Sequence, residues 1–211
     1  MKILKSSKEI EISDEEFLSK ISKYSNCVID LGTGQGGFVY FNALENKDCF
    51  YIGLDSCRDS MKKYGVKQYK NKIDNLMYVV MNAQNLHEVL YNKFSEIYIN
   101  LPWGSLLQGI FKEELKIIEG ISKLSKPECK INICFSYDEK FEKNEIEKRE
   151  LPELNESYFK EVFIPTYNKY GIEVESIEYI SKDKLSFQSK WMKVLTESKS
   201  RKFYVIVCEK K

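Results

Sequence analysis

The chain is 211 residues long, 43% apolar and 13% aromatic, enough to bury roughly two thirds or more of its unfolded surface in one domain over residues 1–211. Its 33 basic and 32 acidic residues leave a formal charge of +1, so nucleic-acid binding has to come from local clusters rather than the net balance. No run approaches the ~20 apolar residues of a membrane span, and the lone His87 excludes a multi-histidine zinc site or a histidine-based triad.

Lys2–Lys5 and Glu9–Ile12 read as two short strands joined through Ser6-Ser7-Lys8, an N-terminal hairpin over residues 1–13. Ser13-Asp-Glu-Glu16 is a capping box, and Phe17, Leu18 and Ile21 give the following helix one apolar face. Cys27–Leu31 is a short apolar run bounded at once by glycines, as a buried parallel strand is. Gly32, Gly34 and Gly36 make the turn after it, where larger side chains would hold a ligand off the backbone. Phe38-Val-Tyr-Phe41, with Ala43 and Leu44, continues as a helix. Strand, glycine turn and helix N-terminus together make a nucleotide site, because free N–H groups and the helix dipole converge there. Cys49–Leu54 is a second buried strand ending in Asp55, about 20 residues on, the distance at which an acid reaches a ribose hydroxyl.

Two ligands fit this pattern. Gly32, Gly34 and Gly37 satisfy the dinucleotide fingerprint and would mean NAD. Asp30-x-Gly32-x-Gly34-x-Gly36 also resembles motif I of the class I S-adenosylmethionine (SAM) methyltransferases. A carboxylate at Asp30 would repel the pyrophosphate of NAD but suit the cationic amine of methionine, which favours SAM. A tight turn with no ligand is the plainest alternative.

Arg58–Lys72 is expected to be helix and loop, with Arg58, Lys62, Lys63, Lys67, Lys70 and Lys72 against one acid, Asp59. Lys63, Lys67 and Lys70 recur at helical spacing and project from one side, as a basic patch or as an ordinary solvated face. Leu76–Met81 is a third core strand leading into Ala83 and Gln84, and Glu96–Asn100 a fourth, followed by Leu101-Pro-Trp-Gly-Ser105. One long helix should follow, with Leu107, Phe111, Leu115, Ile118 and Ile121 inward. Lys130–Phe135 is a fifth strand, Tyr137–Glu150 a charged helix or loop, and Asn155 restarts a helix that Pro165 must kink or end. Ile172–Ile180 and Lys202–Cys208 are the last two strands. Cysteines 27, 49, 57, 129, 134 and 208 show no CxxC pair and several fall in these strands, so they read as buried thiols of a cytoplasmic protein that binds no metal.

Alternating strands and helices imply an α/β fold with a mostly parallel, Rossmann-like sheet covered on both faces, here seven strands plus the hairpin. Ligands bind at the carboxyl ends of such strands, where Asp30, Asp55, Ala83 and Asn100 fall. Candidate SAM contacts at that edge are Asp30, Gly32, Thr33, Gly34, Gly36, Phe38, Asp55, Ala83, Gln84, Asn100, Leu101, Pro102, Trp103 and Ser105. Trp103 is placed where the methyl group should point, although it could instead be a core residue covering the sheet edge. Trp191 lies in the connection between the last two strands, at residues 181–201, which leaves from the same edge. Two indoles flanking a cofactor crevice suggest a clamp on a flat base, worth ~1–3 kcal/mol of stacking and comparable to the cost of flipping one out. Lys184, Lys190, Lys193, Lys199, Arg201 and Lys202 surround Trp191 with few acids, and Arg149 could add a contact, which favours RNA over a small metabolite.

At these residues the chain resembles the 16S rRNA (adenine(1408)-N(1))-methyltransferases of the KamB/NpmA type, which confer aminoglycoside resistance. The likeness covers Met1–Ser13, Asp30-Leu-Gly-Thr-Gly34, Tyr51-Ile-Gly-Leu-Asp55, Leu101-Pro-Trp-Gly-Ser-Leu-Leu107, Lys148-Arg-Glu-Leu-Pro152, Phe187-Gln-Ser-Lys-Trp191 and Lys199-Ser-Arg201. It implies a SAM-dependent enzyme, acting as a monomer on 16S rRNA in the 30S subunit. Trp103 and Trp191 would hold a flipped adenine, and Ser189 would support SAM or the loop. Lys62, Lys63, Lys67, Lys70, Arg149, Lys199 and Arg201 would dock on the rRNA. Gln35 and Gln84 stand where family members carry acids, and Val194 where they carry a base. A tRNA (guanine-N7) methyltransferase is the alternative enzyme; a SAM-binding RNA-binding protein without turnover is the alternative of another class.

Overall fold

The computed structural model describes residues 1–137, 139–181 and 202–211. Among these residues nine strands form one sheet: β1 (Lys2–Lys5), β2 (Lys8–Glu11), β3 (Asn26–Leu31), β4 (Cys49–Asp55), β5 (Leu76–Val80), β6 (Phe94–Asn100), β7 (Ser125–Ser136), β8 (Ile172–Ser181) and β9 (Lys202–Lys210). Their order is β2-β1-β5-β4-β3-β6-β7-β9-β8. The central five, β5-β4-β3-β6-β7, run parallel, while β9 enters antiparallel between β7 and β8. The expected seven-stranded sheet is therefore widened. The N-terminal hairpin is part of it, because β1 pairs antiparallel with β5 at Ile3 and Val79.

Side-chain alternation along the strands sorts the interior into two layers. Val28, Tyr51, Leu76 and Tyr78 point to one face, where α2 (Gly37–Glu45) and α3 (Arg58–Lys70) cover them with Val39, Tyr40, Met61 and Tyr64. Ile29, Leu31, Ile52, Leu54, Ile97 and Ile133 point to the other, against α1 (Asp14–Ile21), α4 (Gly104–Phe111) and α5 (Ile117–Leu124). The Ser13 hydroxyl caps α1 by accepting from the Glu16 N–H at 3.1 Å.

The single long helix expected after Trp103 is broken. Lys116 adopts a left-handed φ of +59° between a short 3₁₀ turn and α5, so the chain folds back on itself. Gly109 makes the corner possible, since a Cβ there would lie 2.2 Å from Ile117 Cγ1. The apolar spacing continues through the break because both pieces pack on the same sheet face. After α6 (Glu139–Lys148), α7 (Glu156–Tyr158) runs through a π turn, Phe159–Phe163, into α8 (Ile164–Lys169). Pro165 is the second residue of α8, directly after the π turn, a first-turn position where its missing N–H is tolerated.

Candidate cofactor and base-binding site

β3 and β4 end side by side, and the turn after β3 is folded down onto β4: the N–H groups of Gly32 and Thr33 both donate to the Leu54 carbonyl, at 2.8 and 3.0 Å. Gly32, at φ +73°, has no room for a Cβ, which would meet Leu106 Cδ2 at 2.4 Å. Gly36, at φ +79°, sits on the ring of Tyr78, whose hydroxyl donates to the Gly36 carbonyl at 2.7 Å. The glycine pattern thus serves both a close approach from above and a tyrosine wedge from below.

Two carboxylates organise this turn in different ways. Asp55 stands at the opening and accepts one N–H on each oxygen, from Gly34 and from Cys57, both at 2.8 Å. Each oxygen keeps a lone pair for a ligand hydroxyl. Asp30 is 2% exposed and lies beneath the turn, accepting from the Thr33 hydroxyl at 2.7 Å and the Asn100 amide at 3.1 Å. Burial pushes its carboxyl up to about 7, against the pull of those two hydrogen bonds. The reason is parity: Asp30 shares the strand face of Val28, toward the α2–α3 layer, whereas the cleft opens above the strand ends.

β6 leads into the tryptophan. The Leu101 N–H donates to the Cys134 carbonyl at 2.7 Å, and Leu101 then takes a left-handed φ of +51°. Such a conformation costs a bulky residue of the order of 1–3 kcal/mol and is retained at functional turns. It buries Pro102 and throws Trp103 outward, 62% exposed, at the start of α4. Trp103 joins Gly32, Gly34, Asp55, Ala83, Gln84, Leu101, Pro102 and Ser105 around one cleft of about 290 Å³.

On the strand edge that carries this cleft, Ser136 at the end of β7 pairs with Phe203, and Ser181 pairs with Lys202. Both ends of the connection at 182–201 are therefore anchored on the same edge as Trp103. On α3, Lys63, Lys67 and Lys70 are exposed and carry no ion pair among the described residues. Arg58 and Lys62 share Asp59 at 3.0 and 2.8 Å.

The profile of NpmA, 16S rRNA (adenine(1408)-N(1))-methyltransferase, matches residues 2–210. A 16S rRNA (adenine(1408)-N(1))-methyltransferase of Escherichia coli is 30% identical over 97% of this chain and 96% of its own. The chain belongs to this family. The crystal structure of the aminoglycoside resistance methyltransferase NpmB1 superposes with a TM-score of 0.86 at 27% identity, covering 100% of this chain and 99% of that one. A tRNA (guanine-N(7)-)-methyltransferase of Clostridium botulinum is 31% identical, but over 81% of this chain and 79% of its own. This methyltransferase is thus an enzyme of the SAM-dependent class I fold, and the NAD reading of its glycine turn falls.

Of the cofactor contacts expected from sequence, Asp30, Thr33, Gly36, Phe38 and Asn100 do not line the methyltransferase's cleft. Asp30, Thr33 and Asn100 form the buried cluster below it, and Phe38 packs its ring 4.8 Å from that of Tyr98. Arg149 is drawn inward, paired with Glu145. Trp191, Ser189, Lys199 and Arg201 lie outside the described residues, as does the cluster Lys184, Lys190 and Lys193. Cys57 is exposed rather than buried. The cleft also takes in Leu54, Ser56, Met81, Asn82, Leu106 and Ile117. Ser56, Met81 and Asn82 directly follow strand ends, so the strand-end rule reaches them; Ile117 arrives only through the corner between α4 and α5.

Proposed function

We infer that this methyltransferase modifies N1 of adenine 1408 of 16S rRNA within the assembled 30S subunit, acting as a cytoplasmic monomer and conferring aminoglycoside resistance. The observation that carries the reading is the exposed indole of Trp103 at the mouth of the cleft. The cleft fits SAM: Asp55 offers free acceptor positions for a ribose diol, Gly32 and Gly34 line it without side chains, and Leu54, Met81, Leu106 and Ile117 give apolar walls. When bound, SAM supplies an electrophilic sulfonium methyl.

What remains for the protein is alignment. N1 of adenine carries its own lone pair, so the reaction calls for no general base, and positioning with exclusion of water can supply much of the rate. Trp103 offers one face for the base, and Trp191, in the target-recognition connection 181–201, offers the other. Stacking at ~1–3 kcal/mol per base offsets the few kcal/mol needed to extract the adenine. Ser189 supports the cofactor or the loop, while Lys62, Lys63, Lys67, Lys70, Arg149, Lys199 and Arg201 hold the rRNA backbone.

The test is methyl transfer to isolated 30S subunits and bulk tRNA in parallel, with reverse transcription mapping the site. A stop beside adenine 1408 is expected; label entering tRNA instead would favour the guanine-N7 reading suggested by the Clostridium relative. Trp103→Ala and Trp191→Ala should each lower methylation at least about 100-fold, the size of effect that misplaced reactants produce. SAM affinity should survive at Trp191→Ala. Full methylation by both variants would remove the clamp from the mechanism.

A further inference from the structure

The Trp103 loop is held from outside as well as by its own chain. The Gly104 N–H donates to Glu145 Oε1 at 3.1 Å, across 41 residues of sequence. The same oxygen accepts from Arg149 Nε, four residues on and just past the end of α6. Gly104 has a φ of +64°, and a Cβ on it would come within 3.3 Å of the Arg149 guanidinium. The Gln108 side-chain amide then donates to the Arg149 carbonyl at 3.1 Å, tying the end of α6 to the second turn of α4. Trp103, the residue before α4, supplies no side-chain cap to that helix. A carboxylate at a helix N-terminus satisfies an otherwise unpaired N–H and meets the positive end of the dipole.

Two left-handed residues therefore bracket Pro102 and Trp103. Leu101 is fastened to the sheet through the Cys134 carbonyl, and Gly104 is fastened to α6 through Glu145. We propose that Glu145 is a positioning residue: its carboxylate fixes the Trp103–Gly104 peptide, and so the plane of the indole, and joins that peptide to Arg149. The proposal rests on the reading of Trp103 as a platform for the base. It couples base and backbone recognition, because Arg149, offered to an rRNA phosphate, and Trp103, offered to the base, are held through one carboxylate oxygen. Glu145 itself lines no part of the cleft.

Glu145→Ala removes both contacts, whereas Glu145→Gln keeps an acceptor for the Gly104 N–H and loses only the charge. In the Ala variant kcat on 30S subunits should fall about 10- to 100-fold, as for a reactant held slightly out of place, with the SAM Kd changed less than about twofold. The Gln variant should recover most of that loss. Trp103 fluorescence, read in a Trp191→Phe background, should show lower anisotropy and easier acrylamide quenching for Ala but not for Gln. An unchanged kcat together with unchanged anisotropy in Glu145→Ala would overturn the proposal. So would an equal loss in the Ala and Gln variants with Trp103 as rigid as before. If Glu145→Ala does not fold, a Gln variant with loosened Trp103 would overturn it too, and a Gln variant with wild-type anisotropy and kcat would support it. Should Trp103→Ala prove fully active, the base-platform reading fails, and the anisotropy arm still decides whether Glu145 holds the loop.

Discussion

Asp30 shows how far the surroundings of one side chain can differ from what its place in a motif suggests. Its acid was expected to attract the methionine amine, yet it lies 2% exposed beneath the glycine turn, holding Thr33 and Asn100. Burial raises its carboxyl from 3.8 to about 7, with the nearby charge of Asp55 adding to the rise. Because the folded value is the higher one, the folded chain takes up the proton first. The stability this group contributes is complete below about pH 4 and is lost as pH rises through about 7, a swing of roughly 4 kcal/mol at most. Thermal stability of the SAM-free protein should therefore decline between pH 5 and pH 8 more steeply than that of Asp30→Asn, which has no proton to lose there. Parallel pH profiles for the two proteins would assign the effect elsewhere. Position 30 was legible as special from the motif; the direction of its side chain was not, since that depends on which sheet face the α2–α3 layer covers.

At the level of elements, the N-terminal hairpin and α3 depend on each other. Gly65 in α3 is pressed against the hairpin, and a Cβ there would lie 2.5 Å from Leu4 Cδ2 and 2.6 Å from the Ser6 carbonyl oxygen. Ala is the better helix former by about 1 kcal/mol, so Gly65→Ala in an isolated helix would be stabilising. Here the clash with backbone should win, for a net loss of about 1–3 kcal/mol on urea unfolding, the usual cost of overpacking. A gain in stability would mean the hairpin yields without cost. The hairpin was readable as two short strands joined through Ser6-Ser7-Lys8, and the helix from the recurrence of Lys63, Lys67 and Lys70. The corner between α4 and α5 was not, because Leu107, Phe111, Ile118 and Ile121 keep helical spacing across it, and neither was the π turn ahead of Pro165.

Across the whole molecule, a formal charge of +1 conceals an uneven distribution. The exposed Lys63, Lys67 and Lys70 of α3 have no acidic partner among the described residues, and the Tyr64 ring lies 5.6 and 5.0 Å from the ammonium groups of Lys63 and Lys67. If these lysines face rRNA phosphates, changing all three to Ala should weaken 30S binding. It should also flatten the log–log salt dependence by about 2–3, near 0.7–0.9 for each phosphate no longer neutralised. Surface positions of this kind should leave stability within about 0.5 kcal/mol. An unaltered salt slope would move the docking face away from α3.

The sequence by itself determined the class of fold, the glycine turn, Asp55 and the Pro102–Trp103 step. Each follows from a local rule about strand patterning, backbone freedom or residue chemistry at a strand end, and none needs a distant partner. Tertiary structure decided what distance along the chain conceals. It set the nine-strand width of the sheet among the described residues, buried Asp30 beneath the glycine turn, brought Ile117 into the cleft, and joined the Glu145 carboxylate to the Gly104 N–H. These depend on which surfaces meet when helices pack on the sheet, and spacing along one segment carries no record of that.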